Sequence, residues 1–381
     1  MSELIYLDSS ATTIPCKEAI AAFLKCAENC FGNPSSLYFL GLEAEDVITG
    51  ARGIIANELD CREDEIYFTS GGSESNNTAI FGAARLLSRR GKHIVTTAVE
   101  HPSVLEPMRA LEKQGFEVTY LTPDKNGSIS VESIKNSVRK DTVLVSVMLV
   151  NNEVGALFPV EEIKNIIKDA GSPALLHTDC VQAFGKIDVK VCDLAADLVS
   201  ISAHKIHGLK GAGALFIKKG IALPPLILGG GQEKGIRSGT EAVPNIAAFG
   251  AAVEALGNKK DAFKKVQELN TQCREMLKDF DNIEINSPNS ALPFILNFSF
   301  MGYRSEILLH HLESFGICVS SGSACSKGKK SAVLGSMGLS AGRIDSALRI
   351  SFSRYTTKDD ITALCEGLKS ALALKKSVGR R

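Results

Sequence analysis

The chain has 381 residues, 44% apolar and 23% charged, and its 43 basic and 43 acidic side chains leave no formal net charge. That balance fits a folded globular protein of two domains. It argues against direct nucleic-acid binding, which needs a basic excess to displace counterions from phosphates. Ten cysteines at irregular spacing are too sparse for a disulfide framework. Cys26 and Cys30 lie one helical turn apart, but no CxxC pair or histidine partner completes a zinc set, so most of the thiols read as small buried hydrophobes. The start, MSELIYLDSS, lacks a signal peptide's basic and apolar regions, and runs such as Val143–Val150 fall well short of the ~20 residues needed to cross a bilayer. A reducing, cytoplasmic setting is therefore expected.

Short β-branched runs alternate with helical stretches from the first strand candidate, Ile66–Thr69, onward. A glycine turn and a helix over Asn76–Leu87 follow it. Further strands are predicted at His93–Thr97, Glu117–Leu121, Thr142–Val150, Leu175–Thr178, Leu198–Ile201 and Ala214–Ile217, with helical spacing at Val131–Val138 and Val160–Asp169. Such alternation implies an α/β domain around a largely parallel sheet, with ligands collecting at the carboxyl ends of its strands. Beyond it, Ala247–Phe280 reads as one long helical region. Strands at Ile283–Ile285, Ile295–Phe300 and Leu348–Phe352 and helices at Ser305–Phe315 and Lys358–Lys375 then predict a smaller α+β domain beginning near residue 256.

Three segments carry candidate chemistry on their residues alone. In FTSGGSESNNTAI, Gly71 and Gly72 turn the chain sharply and Ser73 opens a helix, whose free N–H groups suit a phosphate. A plain turn and cap explain the same residues equally well, and the segment is no GxGxxG fingerprint. In HTDCVQAFGK, Asp179 follows an apolar strand, where a carboxylate can face a protonated heterocycle nitrogen or simply cap a helix. In SAHKIHGLKG, Lys205 stands between His204 and His207, cationic surroundings that suit a Schiff-base lysine, although most lysines are solvated surface charges. Together the three features are those that pyridoxal phosphate requires. Cys325, in SSGSACSKGKKSAV, lies in a run without apolar periodicity that predicts a mobile, exposed loop. Lys327, Lys329 and Lys330 favour its thiolate form, though an incidental surface thiol reads the same way.

The strings YLDSSATT, FTSGGSESNNTAI, EHPSVLE, VNNEVGALFPV, HTDCVQAFGK, SISAHKIHGLKGAGALFI, RSGTEAVPN, SSGSACS and LRISFSRYT run in this order over residues 6–355. Together they resemble the NifS/IscS-like cysteine desulfurases of the class V aminotransferase group. The resemblance implies a fold-type-I pyridoxal-phosphate enzyme acting as a homodimer. Its large domain would span residues 15–255 around a mainly parallel seven-stranded sheet. A small α+β domain would comprise residues 1–14 and 256–381, with the cysteine loop at about 318–343. The implied reaction takes sulfur from L-cysteine, gives L-alanine and leaves a persulfide on Cys325 for an acceptor protein, an iron–sulfur scaffold or a thiolation protein.

Residue by residue, the resemblance makes Lys205 the lysine that bonds the cofactor and His101 a ring-stacking proton carrier. Asp179 would pair with the ring nitrogen and Gln182 with the ring hydroxyl. Gly72, Ser73, Ser202 and His204 would hold the phosphate, with Thr240 reaching across from a second subunit. Asn152 would lie by the cofactor and substrate, and Arg349 would clamp the substrate carboxylate, with Arg354 close enough in sequence to be confused with it. No metal is needed for desulfuration, although Cys325 could ligate a transferred iron–sulfur cluster. Leu209 replaces a proline, and Ser326 a threonine, common in the family. The lysine-rich loop, and an end at Arg381 without the long tail of the housekeeping bacterial enzymes, leave the acceptor open. The alternatives are a selenocysteine lyase or another pyridoxal-phosphate lyase or aminotransferase of the same fold, and a non-catalytic scaffold.

Overall fold

The computed structural model describes residues 4–321 and 331–378. Thirteen strands are present among them: β1 Ile5–Tyr6, β2 Ile66–Thr69, β3 His93–Thr97, β4 Glu117–Leu121, β5 Thr142–Ser146, β6 Leu175–Asp179, β7 Leu198–Ser202, β8 Gly213–Ile217, β9 Ile283–Ile285, β10 Ile295–Phe300, β11 Ile317–Cys318, β12 Ser320–Ser321 and β13 Ala347–Ser351. Strands β3, β5, β7 and β8 are buried at every position. Near-continuous apolar runs fold this way when helices cover both faces of a sheet.

The larger sheet has seven strands in the order β2-β8-β7-β6-β5-β3-β4. Only β8 runs against its neighbours, so the other six present their carboxyl ends at one edge. The chain steps outward from β3 to β4 and then returns to β5 on the other side of β3, creating a switch point of the kind where α/β sheets bind ligands. A four-stranded antiparallel sheet, β12-β13-β10-β9, forms the second layer system. Strand β1 pairs with β11, and the chain beyond it then crosses to the larger sheet. Ser10 N–H donates to Ser351 Oγ at 2.8 Å, and Thr13 N–H to the His204 carbonyl at 2.9 Å. This crossing lays residues 8–13 against the Lys205 turn.

Two expectations change. The predicted Thr142–Val150 strand ends at Ser146 and the chain bends at Leu149, although Val147 and Leu149 N–H still bond the His177 and Asp179 carbonyls at 3.1 and 3.0 Å. The single helix expected over Ala247–Phe280 is two, Val243–Glu254 and Lys259–Leu277. Gly257 breaks it with φ +62°, and Asn258 Oδ1 caps the second helix through Lys260 N–H at 3.0 Å. The helices Lys17–Asn29 and Phe39–Leu59 had no assignment from sequence. Cys30 ends the first of these, its N–H donating to the Cys26 carbonyl at 2.8 Å. Among the described residues no helix is long and apolar enough to cross a membrane, and no cluster of three or more His, Cys, Asp or Glu side chains could hold a metal.

Candidate active site

Strand β2 leads through Ser70 and Gly71 (φ +151°) into the helix Gly72–Leu86. Glycine is required by close approach. A Cβ on Gly72 would lie 2.8 Å from Val181 Cγ2, and one on Gly213 would lie 2.6 Å from the Gly71 Cα. Glu74 steadies the turn, accepting from Ser70 N–H at 2.9 Å and pairing with Arg237 at 2.9 Å. Facing the turn from the end of β7 is the hydroxyl of Ser202, buried and without a hydrogen-bond partner. A helix N-terminus, a stripped backbone and an unserved hydroxyl together form a cradle for an anion.

Asp179 ends β6 and is 7% exposed. Its Oδ2 accepts from Asn76 Nδ2 at 2.7 Å and its Oδ1 from Val181 N–H at 2.9 Å, bonds that fix the orientation of the carboxyl group. His101 caps the helix Pro102–Glu112, its Nδ1 accepting from Ser103 N–H at 3.1 Å. The proton of the neutral ring therefore sits on Nε2. Burial pushes the His101 imidazole below its ordinary value; Asp179 opposes that and Lys205 adds to it, so the ring is neutral near pH 7. Behind it, burial pushes Glu100 up to about 8, even though its Oε1 accepts from Thr97 Oγ1 at 2.8 Å and Met148 N–H at 2.9 Å. His177, one residue pair away on β6, is structural. It lies buried between the Ser146 and Ser200 hydroxyls, and burial pushes it down to about 3.

Lys205 closes the single 3₁₀ turn that follows β7. Its Nζ donates to the carbonyls of Ser10 and Ala11, the latter at 2.8 Å. The Ser10 carbonyl also accepts from Gln182 Nε2 at 3.0 Å. His204 Nδ1 meets Thr12 Oγ1 at 3.2 Å, and burial, reinforced by Lys205 and Lys210, pushes this imidazole down to about 4. Arg349, central in β13 and 5% exposed, gives Nη2 to Asp8 Oδ1 at 2.8 Å and Nη1 to the Asn152 carbonyl at 3.0 Å. Its Nε is buried without a partner. Arg354 turns away, bonding the Ala255 carbonyl, and does not line this site.

These groups line one cavity of about 600 Å³ at the carboxyl ends of the parallel strands. Gly72, Ser73, His101, Asn152, Asp179, Gln182, Ser202, His204, Lys205 and Arg349 all border it. Thr240 does not; it is exposed, three residues beyond Arg237. Cys325 lies outside the described residues, as do residues 322–330 of the loop predicted to carry it.

The sequence model of the family "Aminotransferase class-V" matches residues 5–364. A relative named cysteine desulfurase IscS, from Dictyoglomus turgidum, is 42% identical over 99% of this chain and 97% of its own. A solved structure titled "NifS-like protein" superposes with a TM-score of 0.93 at 35% identity, covering 98% of this chain and all of its own. The chain belongs to the NifS/IscS-like cysteine desulfurases. Another solved structure, titled "SspA in complex with cysteine", is 34% identical with a TM-score of 0.82 and covers 92% of this chain and 99% of its own.

Desulfurases of this family depend on pyridoxal phosphate, and the cavity fits that group. The unserved Ser202 hydroxyl and the Gly72 turn suit its phosphate, buried Asp179 suits a protonated ring nitrogen, and Lys205 Nζ lies in the same space. Several residues in the cavity wall or behind it had no role from sequence reasoning. Asn76 and Ser103 buttress Asp179 and His101, Asp8 pairs with Arg349, and Ser10 and Ala11 hold Lys205. The strings YLDSSATT, FTSGGSESNNTAI and EHPSVLE contain all of these, yet only folding shows which partner each one meets.

Proposed function

We propose that this cysteine desulfurase places sulfur on Cys325, with Lys205, His101, Asp179 and Arg349 in the roles the geometry supports. When bound, pyridoxal phosphate supplies an electron sink that makes the α-carbon of an amino acid acidic and its β-sulfur expellable. The observation that carries the reading is the convergence of Lys205, Asp179 and the Ser202 cradle on one cavity. The Gly72–Leu86 N-terminus, Ser73, Ser202 and His204 would hold the phosphate, and Asp179, fixed by Asn76 and Val181, would keep the ring nitrogen protonated. Gln182, Asn152 and the Arg349 fork would complete the site, the fork receiving the substrate carboxylate. Lys205, parked on the Ser10 and Ala11 carbonyls when released, would take the α-proton, and His101 would carry protons at Nε2.

Strand β12 ends at Ser321 beside Leu348, one residue from Arg349. Three residues separate Ser321 from Cys325, a reach of at most about 14 Å of extended chain. The thiolate of Cys325 would then attack the substrate sulfur. As the S–S bond forms, the Cβ–S bond breaks and its electron pair stays with carbon, which gains protons and leaves as L-alanine.

The same reading takes the enzyme as a cytoplasmic homodimer with residues 15–255 and 1–14 plus 256–381 as its domains. The helix break at Gly257 supports that boundary. Phe31, Leu37, Phe39 and Leu42, 73%, 96%, 67% and 58% exposed, are large apolar side chains close in sequence, and their exposure supports a subunit contact, where Thr240 would serve the partner's phosphate. The acceptor would be an iron–sulfur scaffold or thiolation protein. To test the nucleophile, the cofactor-loaded protein is treated with L-cysteine and its peptides weighed. One added sulfur atom on the Cys325 peptide is expected, and sulfur on another cysteine would overturn the assignment.

A further inference from the structure

Lys186 closes the string HTDCVQAFGK and is 6% exposed, which is rare for a lysine. Among the described residues no carboxylate pairs with it. Its Nζ instead serves two oxygens of one residue, the Gln182 carbonyl at 3.0 Å and the Gln182 side-chain Oε1 at 3.0 Å. The charged groups facing it, Lys205 and Arg349, are cations, and burial together with them pushes its ammonium down to about 7. Both protonation states keep the two N–H donors that these bonds use. A buried cation held without an acidic partner costs stability, so a purely structural role is poorly served by lysine here.

The geometry gives it a task. A side-chain amide has two orientations of nearly equal shape, and only its hydrogen-bond partners choose between them. As an ammonium Lys186 offers only donors, so it selects Oε1. On the other side the Ser10 carbonyl offers only an acceptor, so it selects Nε2, at 3.0 Å. The two constraints agree, and the second hydrogen of Nε2 remains for the cavity that Gln182 borders. We propose that Lys186 is a positioning residue: it locks the Gln182 amide so that Gln182 meets the cavity as a donor only and serves the ring oxygen of the bound cofactor. This rests on the reading of Gln182 given above. The Ser10 carbonyl is shared with Lys205 Nζ, so the lock also ties the amide to the carbonyl on which Lys205 rests.

The test is a double-mutant cycle read from the visible absorbance of the cofactor-loaded protein as a function of pH, without turnover. A donor to the ring oxygen withdraws charge from it, so losing that donor raises the midpoint at which the chromophore gives up its proton. Gln182→Met and Lys186→Met should each raise it, Gln182→Met by roughly one pH unit, the size expected for one hydrogen bond to a charged group. In the Gln182→Met background, Lys186→Met should add less than half of what it adds to the parent. Lys186→Arg, which keeps the donors, should stay nearer the parental midpoint than Lys186→Met. An equal shift in both backgrounds would mean that Lys186 acts through its charge alone and would overturn the proposal, as would no shift at all. Collapse of Lys186→Met, with Lys186→Arg and Gln182→Met both folding and loading normally, would make the role structural and overturn it too. A Gln182→Met protein with the parental midpoint would instead remove the Gln182 contact itself and refute the site reading on which the proposal stands.

Discussion

Replacing Arg349 with lysine separates its two duties. The guanidinium has five N–H donors, and the protein uses one toward Asp8 Oδ1 and one toward the Asn152 carbonyl. Three remain, enough for a two-pronged grip on a substrate carboxylate. A lysine ammonium has three donors in all, so once Asp8 and Asn152 are served a single one is left. Arg349→Lys therefore loses one charge-assisted bond to substrate, worth ~1.5–3 kcal/mol, which corresponds to roughly a tenfold to 150-fold fall in kcat/KM. Because the bond forms on binding, the fall should appear mainly as a raised KM. Arg349→Met has a different consequence, because it strands Asp8, which burial already pushes above its usual value against the pull of Arg349. It should cost ~3–5 kcal/mol in stability. Alanine formation against cysteine concentration and denaturant melts of the three proteins check both statements. A lysine variant with the parental KM, or one that lost only kcat, would refute the clamp.

Gly213→Ala should destabilise the protein by ~1–3 kcal/mol and weaken cofactor binding, because its Cβ would press on the Gly71 backbone at 2.6 Å; melts and cofactor titration report the two effects. Lys205→Ala should retain cofactor through the phosphate cradle, visible after gel filtration, yet form no alanine. Glu100 sets a pH effect whose sign is fixed. Its folded value, pushed up to about 8, lies above the ordinary ~4.3 of an unfolded glutamate, so the folded state holds the proton between these limits. Its contribution is intact below the unfolded value and is lost as pH rises toward 8. Glu100→Gln, which imitates the neutral acid, should therefore show a flatter stability profile from pH 5 to pH 8 in denaturant melts, and an unchanged slope would contradict the assignment.

The central sheet was legible because its strands are short runs rich in β-branched residues between helical stretches, and His93–Thr97 and Glu117–Leu121 match the structure residue for residue. The helix spacing was legible only from Asn76, because Ser73, Glu74 and Ser75 lack the apolar spacing that reveals a helix interior, whereas the glycine turn before Ser73 marked the start to within one residue of Gly72. The N-terminal helices escaped for a related reason: Phe39, Leu42 and Leu24 face outward, so the apolar residues mark no single buried face. Within the site, side chains with distinctive chemistry, Lys205, Asp179 and Arg349, could be picked out by type and string. The supporting atoms could not. The carbonyls of Ser10 and Ala11 carry no side-chain signature, and Asp8 meets Arg349 across 341 residues of sequence.

The central claim is tested most directly by loading the purified protein with pyridoxal phosphate, adding L-cysteine and a thiol reductant, and measuring L-alanine and sulfide together. The account predicts a yellow protein that forms both products in equal amounts, with both lost in Cys325→Ala. A protein that binds the cofactor and yields neither product, or whose Cys325→Ala variant works at the parental rate, would contradict it.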